Sequence, residues 1–194
     1  MDSTFRAVAL ANVLLCLPIG VYFRARSQAT REKLDRRQEG LFILIGLRLC
    51  GLIAWIVFAA YLIDPALVAW CSLPLPHWLR WAGAAAAMAV PLLLFWTFHS
   101  LGKNLTDTVV TRREHTLVTH GPYRWVRHPF YDVVLLWGLS LGLVTANWLL
   151  TLLVVAVAAM MVARTRIEEA KLLERFGDAY RAYAARTGRF FPRL

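Results

Sequence analysis

Acidic side chains are scarce in this chain, and so is cysteine. Twelve Asp and Glu stand against 22 Lys and Arg, for a formal net charge of +10. That excess does not point to nucleic acid, because no zinc-finger, RRM or helix-turn-helix pattern accompanies it. Most of the arginines flank apolar runs instead, as in the cytoplasmic loops of membrane proteins, where membrane lipids with anionic headgroups are the partner. The three cysteines, Cys16, Cys50 and Cys71, lie in or beside apolar segments and form no C-x-x-C pair. They read as small apolar fillers, which supports neither a disulfide framework nor a metal site. The string G-x-S-x-G occurs once, at Gly138–Gly142 inside a long apolar run and not at a strand-to-helix turn, and S-x-x-K occurs at Ser100–Lys103, while H-E-x-x-H and any Gly-rich phosphate loop are missing. The chemistry that remains needs no metal and no nucleophile elbow.

What is abundant is apolar length. Hydrophobic residues make up 59% of the 194 positions and mean hydropathy is +0.52, above the roughly one-half apolar content of soluble domains. Five spans are expected. The first runs from about Phe5 to Phe23, with Pro18 near its end, and Arg24 and Arg26 after it in place of a small-residue cleavage site. It is read as a retained span. A loop rich in Arg and Lys follows, then a span from Leu41 to Ile63 carrying Arg48, which either snorkels to the interface or pairs with an acid. The stretch Asp64–Trp78 holds Pro65, Pro74 and Pro76 without Lys or Arg, and so fits the outer face.

Span three covers about Leu79 to Phe98, with Arg80 at its outer end as an exception to the charge rule. Its Ala82–Ala89 stretch offers a small-residue face for close helix contact. Pro91 should kink it and open a lateral slot for a lipid tail beside Ala86 and Ala87. From Phe130 to Ala163 the chain is apolar for longer than one membrane crossing, so a helical hairpin turning at Asn147 is expected. The tail, Ile167–Leu194, places Leu172, Leu173, Phe176, Tyr180 and Tyr183 at helical spacing, broken at Gly177. The fold class that follows is all-α: a multi-pass membrane helical bundle of about five transmembrane helices, with a C-terminal helical hairpin and a cytoplasmic amphipathic tail. One unit, residues 1–194, holds three N-terminal spans (1–98) and a polar-clustered core (99–194), with the N-terminus outside and the C-terminus inside.

Chemistry concentrates in two places on the cytoplasmic side. The first is His115 to Tyr131, which packs His115, His120, His128, Tyr123, Tyr131, Arg124 and Arg127 into seventeen positions. His128-Pro129 opens span four, where Pro suits the first turn and the free N–H groups favour anions. The second is Arg164-x-x-x-Glu168-Glu169, whose i,i+4 spacing puts Arg164 and Glu168 on one helix face. Such a pair is a surface ion pair of about 0.3–0.5 kcal/mol on an isolated helix. Here it leaves the membrane on the hairpin that begins at Tyr131, which makes the two clusters neighbours.

The run His-Thr-Leu-Val-Thr-x-Gly-x-Tyr-x-Trp-x-Arg-His-Pro-x-Tyr from His115 resembles the hallmark of isoprenylcysteine carboxyl methyltransferases and related phospholipid methyltransferases. Arg164…Glu168-Glu169, Phe176-Gly177-x-x-Tyr180-x-x-Tyr183 and Gly188-Arg189-x-x-Pro192 resemble that family's C-terminal signature. Together these cover roughly His99 to Pro192. The resemblance implies a membrane enzyme that transfers a methyl group from S-adenosyl-L-methionine, with its active site on the cytoplasmic side (of the inner membrane in a bacterial cell). It further implies that His115, Thr116, Leu117, Val118, Tyr123, His128, Pro129, Phe130, Tyr131 and Glu168 bind the cofactor, and that Arg164 faces the methyl acceptor. Thr108 stands where the eukaryotic enzyme carries a cofactor-touching glutamine.

Physical chemistry is consistent with those roles. Glu168 suits the donor's α-amino group, and Tyr123, Trp125 or Tyr131 suits its sulfonium through a cation–π contact. A lipidic or prenylated carboxylate acceptor needs an orienting arginine and no base. An amine or thiol acceptor, as in a phospholipid N-methyltransferase or small-thiol S-methyltransferase, would need His128 as base. A non-catalytic membrane scaffold of the same fold is the alternative of another class.

Overall fold

The computed structural model describes residues 2–28, 41–104 and 116–193. Within them the chain forms six α-helices: α1 (Asp2–Gln28), α2 (Leu41–Ile63), α3 (His77–Leu101), α4 (Pro129–Thr145), α5 (Trp148–Phe176) and α6 (Asp178–Arg186). Helices α1, α2, α3 and α5 are long and apolar enough to cross a membrane, while α4 is apolar but shorter, at 17 residues. The protein is an all-α integral membrane protein.

Helix α4 packs chiefly against α3 and α5, and its ends are set by local chemistry. Pro129 occupies the first turn, where its missing N–H costs nothing and its fixed φ fits the helix. At the other end Ala146 takes a left-handed conformation (φ 50°) and returns its N–H to the carbonyls of Gly142 and Leu143. Asn147 then starts α5, its side chain accepting from Leu150 N at 3.0 Å. The hairpin expected at Asn147 is therefore present, and two residues make it. Its amide also donates to Cys71 Sγ at 3.1 Å, tying the turn to the loop after α2.

Small residues let these helices approach. A Cβ added at Gly83 would lie 2.6 Å from Leu143 Cβ, and one at Gly138 would lie 2.4 Å from Val154 Cγ2. Larger side chains there would force α3 from α4, or α4 from α5. Buried Asn12 of α1 adds a polar link. It donates to the Ala87 carbonyl at 2.6 Å and accepts from Trp137 Nε1 at 2.7 Å, joining α1, α3 and α4.

That packing changes one expectation. Ala87 is buried against α1, so the small-residue face of α3 serves helix contact and not a lateral slot. A cavity of about 170 Å³ lies elsewhere, between α2, α4 and α5, lined by Gly51, Trp55, Gly138, Leu141, Val157 and Met161 among others. Arg48 is exposed on α2, as a snorkelling arginine would be.

Arg80 is the larger surprise. Its side chain is buried and clasps four helices at one end of the bundle. It donates to Asp2 Oδ1 at 2.8 Å, to the Val144 carbonyl at 2.9 and 3.1 Å, and to Tyr61 Oη at 3.4 Å. Its guanidinium also sits 3.9 Å from the centre of the Phe5 ring. An arginine at a helix end thus spends its donors on a left-over carbonyl of α4 and an aspartate of α1.

Candidate active site

The opposite end of the bundle gathers the residues singled out by spacing. Helix α5 is 29 residues long. At about 1.5 Å per residue it outreaches an apolar core of about 30 Å, so its last turns, from Arg164 onward, stand beside the start of α4.

Arg164 Nε donates to Glu168 Oε1 at 2.9 Å, the i,i+4 contact expected from sequence. Tyr131 Oη, from the first turn of α4, donates to the same oxygen at 2.6 Å. His128 lies between two carboxylates, with Nδ1 3.5 Å from Glu168 Oε2 and Nε2 3.2 Å from Glu169 Oε1. The Tyr131 ring stacks on the imidazole, 5.4 Å between centres, and Phe190 covers it at 5.9 Å. His128, Tyr131, Arg164 and Glu168 are thus brought into one constellation.

The remaining expected residues take other places. Phe130 stacks on Phe98 at 5.3 Å, and Pro129 is buried in the first turn of α4. Tyr123 belongs to a 3₁₀ turn, Gly121–Arg124. Gly121 is left-handed (φ 60°), and a Cβ there would strike Ser100 of α3, so only glycine seats the turn on that helix. Tyr123 is buried, and burial holds its phenol protonated well above the ordinary tyrosine range. Its carbonyl accepts from Tyr183 Oη at 2.7 Å, and burial pushes the Tyr183 phenol up to about 12. Both tyrosines therefore act as neutral groups that pin α6 to the turn.

Thr116 exchanges two hydrogen bonds with Asn104 at the end of α3, at 3.0 and 3.1 Å, apart from the glutamates. Leu117 and Val118 are half-buried. His115 and Thr108 lie outside the described residues.

Three residues at the site, Arg127, Glu169 and Arg189, were named from sequence but given no role. Glu169 accepts from Arg127 Nε at 2.9 Å and from Arg189 Nε at 3.1 Å, besides facing His128. The signal was partial. Glu169 and Arg189 stood inside recognised patterns, but only folding brings position 127 to 169 and 189.

S-adenosylmethionine carries an ammonium, a carboxylate, an adenine and a cationic sulfonium, and the donor set here can be compared with it. A half-buried carboxylate at Glu168, aromatic rings at Tyr131 and Phe190, and the positive first turn of α4 match the ammonium, the sulfonium and the carboxylate respectively. The residues fit such a group. Among the described residues, no cluster of three or more His, Cys, Asp or Glu could hold a metal ion.

Residues 83–174 match the family model of isoprenylcysteine carboxyl methyltransferases. The matched stretch covers just under half of the chain. It contains α4, most of α3, and α5 as far as Glu174, hence every member of the constellation except the C-terminal Arg189 and Phe190. Among curated relatives, the cobalt-zinc-cadmium resistance protein CzcN of Cupriavidus metallidurans is 39% identical over 124 residues, covering 59% of this chain and 55% of that one. The protein-S-isoprenylcysteine O-methyltransferase of Tribolium castaneum is 31% identical over 120 residues, covering 60% of this chain and 42% of its own. The Schizosaccharomyces pombe protein of the same name is 36% identical over 85 residues, covering 42% and 36%. The chain thus spans about half the length, or less, of the curated relatives it matches. A solved structure of the eukaryotic intramembrane Ras methyltransferase ICMT shares the fold, with TM-score 0.57 and 22% identity over 93% of this chain and 67% of that one.

Proposed function

We propose that the protein is an integral membrane S-adenosylmethionine-dependent methyltransferase that esterifies a carboxylate on a lipidic or prenylated acceptor, as protein-S-isoprenylcysteine O-methyltransferases do. The observation that carries this is the convergence of Arg164, Glu168, Tyr131 and His128 at the mouth of an apolar bundle. In this reading residues 99–194 form the cofactor-binding core of a single 1–194 unit, the chain crosses the membrane five times, and the site faces the cytoplasm, where loop arginines collect.

S-adenosylmethionine, if held there by Glu168 and the aromatic rings of Tyr131 and Phe190, would supply an electrophilic methyl group for transfer to an oxygen nucleophile. Glu168 holds the ammonium, with Tyr131 and Arg164 fixing its carboxylate. Arg164 orients the acceptor carboxylate by charge-assisted hydrogen bonds. A carboxylate is ionised at neutral pH, so no proton is moved and no base is required. Holding the two reactants aligned supplies most of the acceleration. Both nitrogens of His128 already face carboxylate oxygens, which favours a positioning role for the ring over that of a base. The acceptor's tail takes the apolar cavity between α2, α4 and α5, whose lining residue Met161 lies one helical turn before Arg164.

The test uses the purified protein in lipid with methyl-labelled S-adenosylmethionine and a prenylcysteine analogue, followed by base. Label released as volatile methanol is the expected result. Label retained on the acceptor would mean N- or S-methylation, as in a phospholipid-amine or small-thiol methyltransferase. Donor binding without any transfer would leave a scaffold.

A further inference from the structure

Glu168 and Glu169 are adjacent, yet their surroundings differ in kind. Glu168 is held by its own helix and by α4, through Arg164 and Tyr131. Glu169 is held by residues far along the chain. Its Oε1 is met by Arg127 Nε at 2.9 Å, Arg189 Nε at 3.1 Å and His128 Nε2 at 3.2 Å, and its Oε2 by Arg189 Nη2. A carboxylate offers about four acceptor sites, so these four contacts leave Glu169 little capacity for a ligand.

Those partners belong to two segments that lie side by side. One enters α4 and the other follows α6. Arg127 N donates to the Gly188 carbonyl at 2.9 Å, His128 N to the Arg189 carbonyl at 3.1 Å, and Gly188 N to the Trp125 carbonyl at 3.1 Å. This is a short parallel bridge with no further strand to support it among the described residues. Arg127 reinforces it by donating to the carbonyls of Ala184 and Thr187 at the end of α6. A backbone pairing this short is marginal alone. The carboxylate underneath is what both segments share.

We propose that Glu169 is a positioning residue, clamping segment 187–190 against the start of α4 so that His128 and Phe190 are held in register with Glu168. That Glu168 then meets the ammonium of S-adenosylmethionine rests on the function proposed above; the clamp itself does not. Replacing Glu169 leaves Arg127 and Arg189 as uncompensated neighbouring cations, which repel, and the C-terminal segment parts from α4.

The full chain in lipid is compared with Glu169→Gln, Glu169→Asp, Arg189→Gln and the Glu169→Gln/Arg189→Gln pair. Amide exchange is followed at Arg127–His128 and Gly188–Phe190, and binding is measured with S-adenosylhomocysteine. Glu169→Gln and Arg189→Gln should each raise exchange at both stretches and raise Kd about tenfold, and the double variant should be no worse, because contacting partners are not additive. Glu169→Asp should recover part of both losses. Arg189 is partly exposed, so its variant retains the test if Glu169→Gln folds poorly. Weaker binding with unchanged exchange would overturn the clamp and make Glu169 a direct donor contact. Unchanged exchange and unchanged binding would also overturn it. Raised exchange in a protein whose wild type binds no S-adenosylhomocysteine would support the clamp while removing the methyltransferase reading.

Discussion

The two ends of the bundle each bury an arginine beside an acid, and they use the pair differently. At one end Arg80 faces Asp2, the Val144 carbonyl, Tyr61 and the Phe5 ring, so its donors go to helix ends and its face to an aromatic. Four helices meet at a single cation. At the other end the arginines 127, 164 and 189 surround two carboxylates and an imidazole, contributed by the segment entering α4, by α5 and by the segment after α6. One cation closing a bundle is a fastener. Several charges of both signs, converging where the helices open, are costly to assemble, and on the function proposed above some of them meet a ligand. What distinguishes a site from a staple here is surplus charge, not burial.

The sharpest break in that comparison comes from Glu168→Ala, which should weaken S-adenosylhomocysteine binding by about 100-fold, the loss expected for a charge-assisted contact, as calorimetry would record. Arg164→Ala should keep donor binding within a few-fold and lower methyl transfer by about 100-fold or more, as loss of an orienting charge does; a single-turnover assay separates the two. If both variants bind and turn over normally, the ligand-facing set is wrongly assigned.

Arg80→Met should do the reverse. Orphaning the Val144 carbonyl should cost about 1–3 kcal/mol, read as a lower unfolding temperature in detergent, with donor affinity unchanged. Gly51→Leu sharpens the proposal for the acceptor. A Cβ at Gly51 meets nothing within 4 Å, yet the residue lines the cavity, so the variant should fold, bind donor and lose several-fold turnover on long-tailed acceptors only. Asp2→Asn should have the smallest effect. Its side chain is 66% exposed, and removing its charge should cost no more than about 1 kcal/mol.

How much of this was legible in the sequence followed the range of each interaction. The Asn147 turn, the Pro129 start and the Arg164–Glu168 pair are local, and spacing alone exposed them. Tyr131 and Glu168 came together because a hairpin returns the chain to its starting side. The Glu169 cluster was not visible, since its partners stand 42 and 20 positions away and no periodicity links them. Arg80 was taken for an exception at a helix end, because charge counting cannot say which way a side chain turns. The slot expected beside Ala87 is filled for a related reason. Small residues on α3 signal close approach, and a polar residue on a third helix, Asn12, took up the space beside them.

The shortness of α4 has a consequence for the surrounding bilayer. Its 17 residues measure about 25 Å, against a hydrocarbon thickness of roughly 30 Å. Tilting would only widen the mismatch, so local thinning of a bilayer that α4 crosses is one way to meet it. On the function proposed above, the thinning that matters is at the end where His128 and Tyr131 begin the helix. The anchored acceptor of that proposal would there find the surface sunk to its own depth, and would present its carboxylate without being lifted out of the lipid.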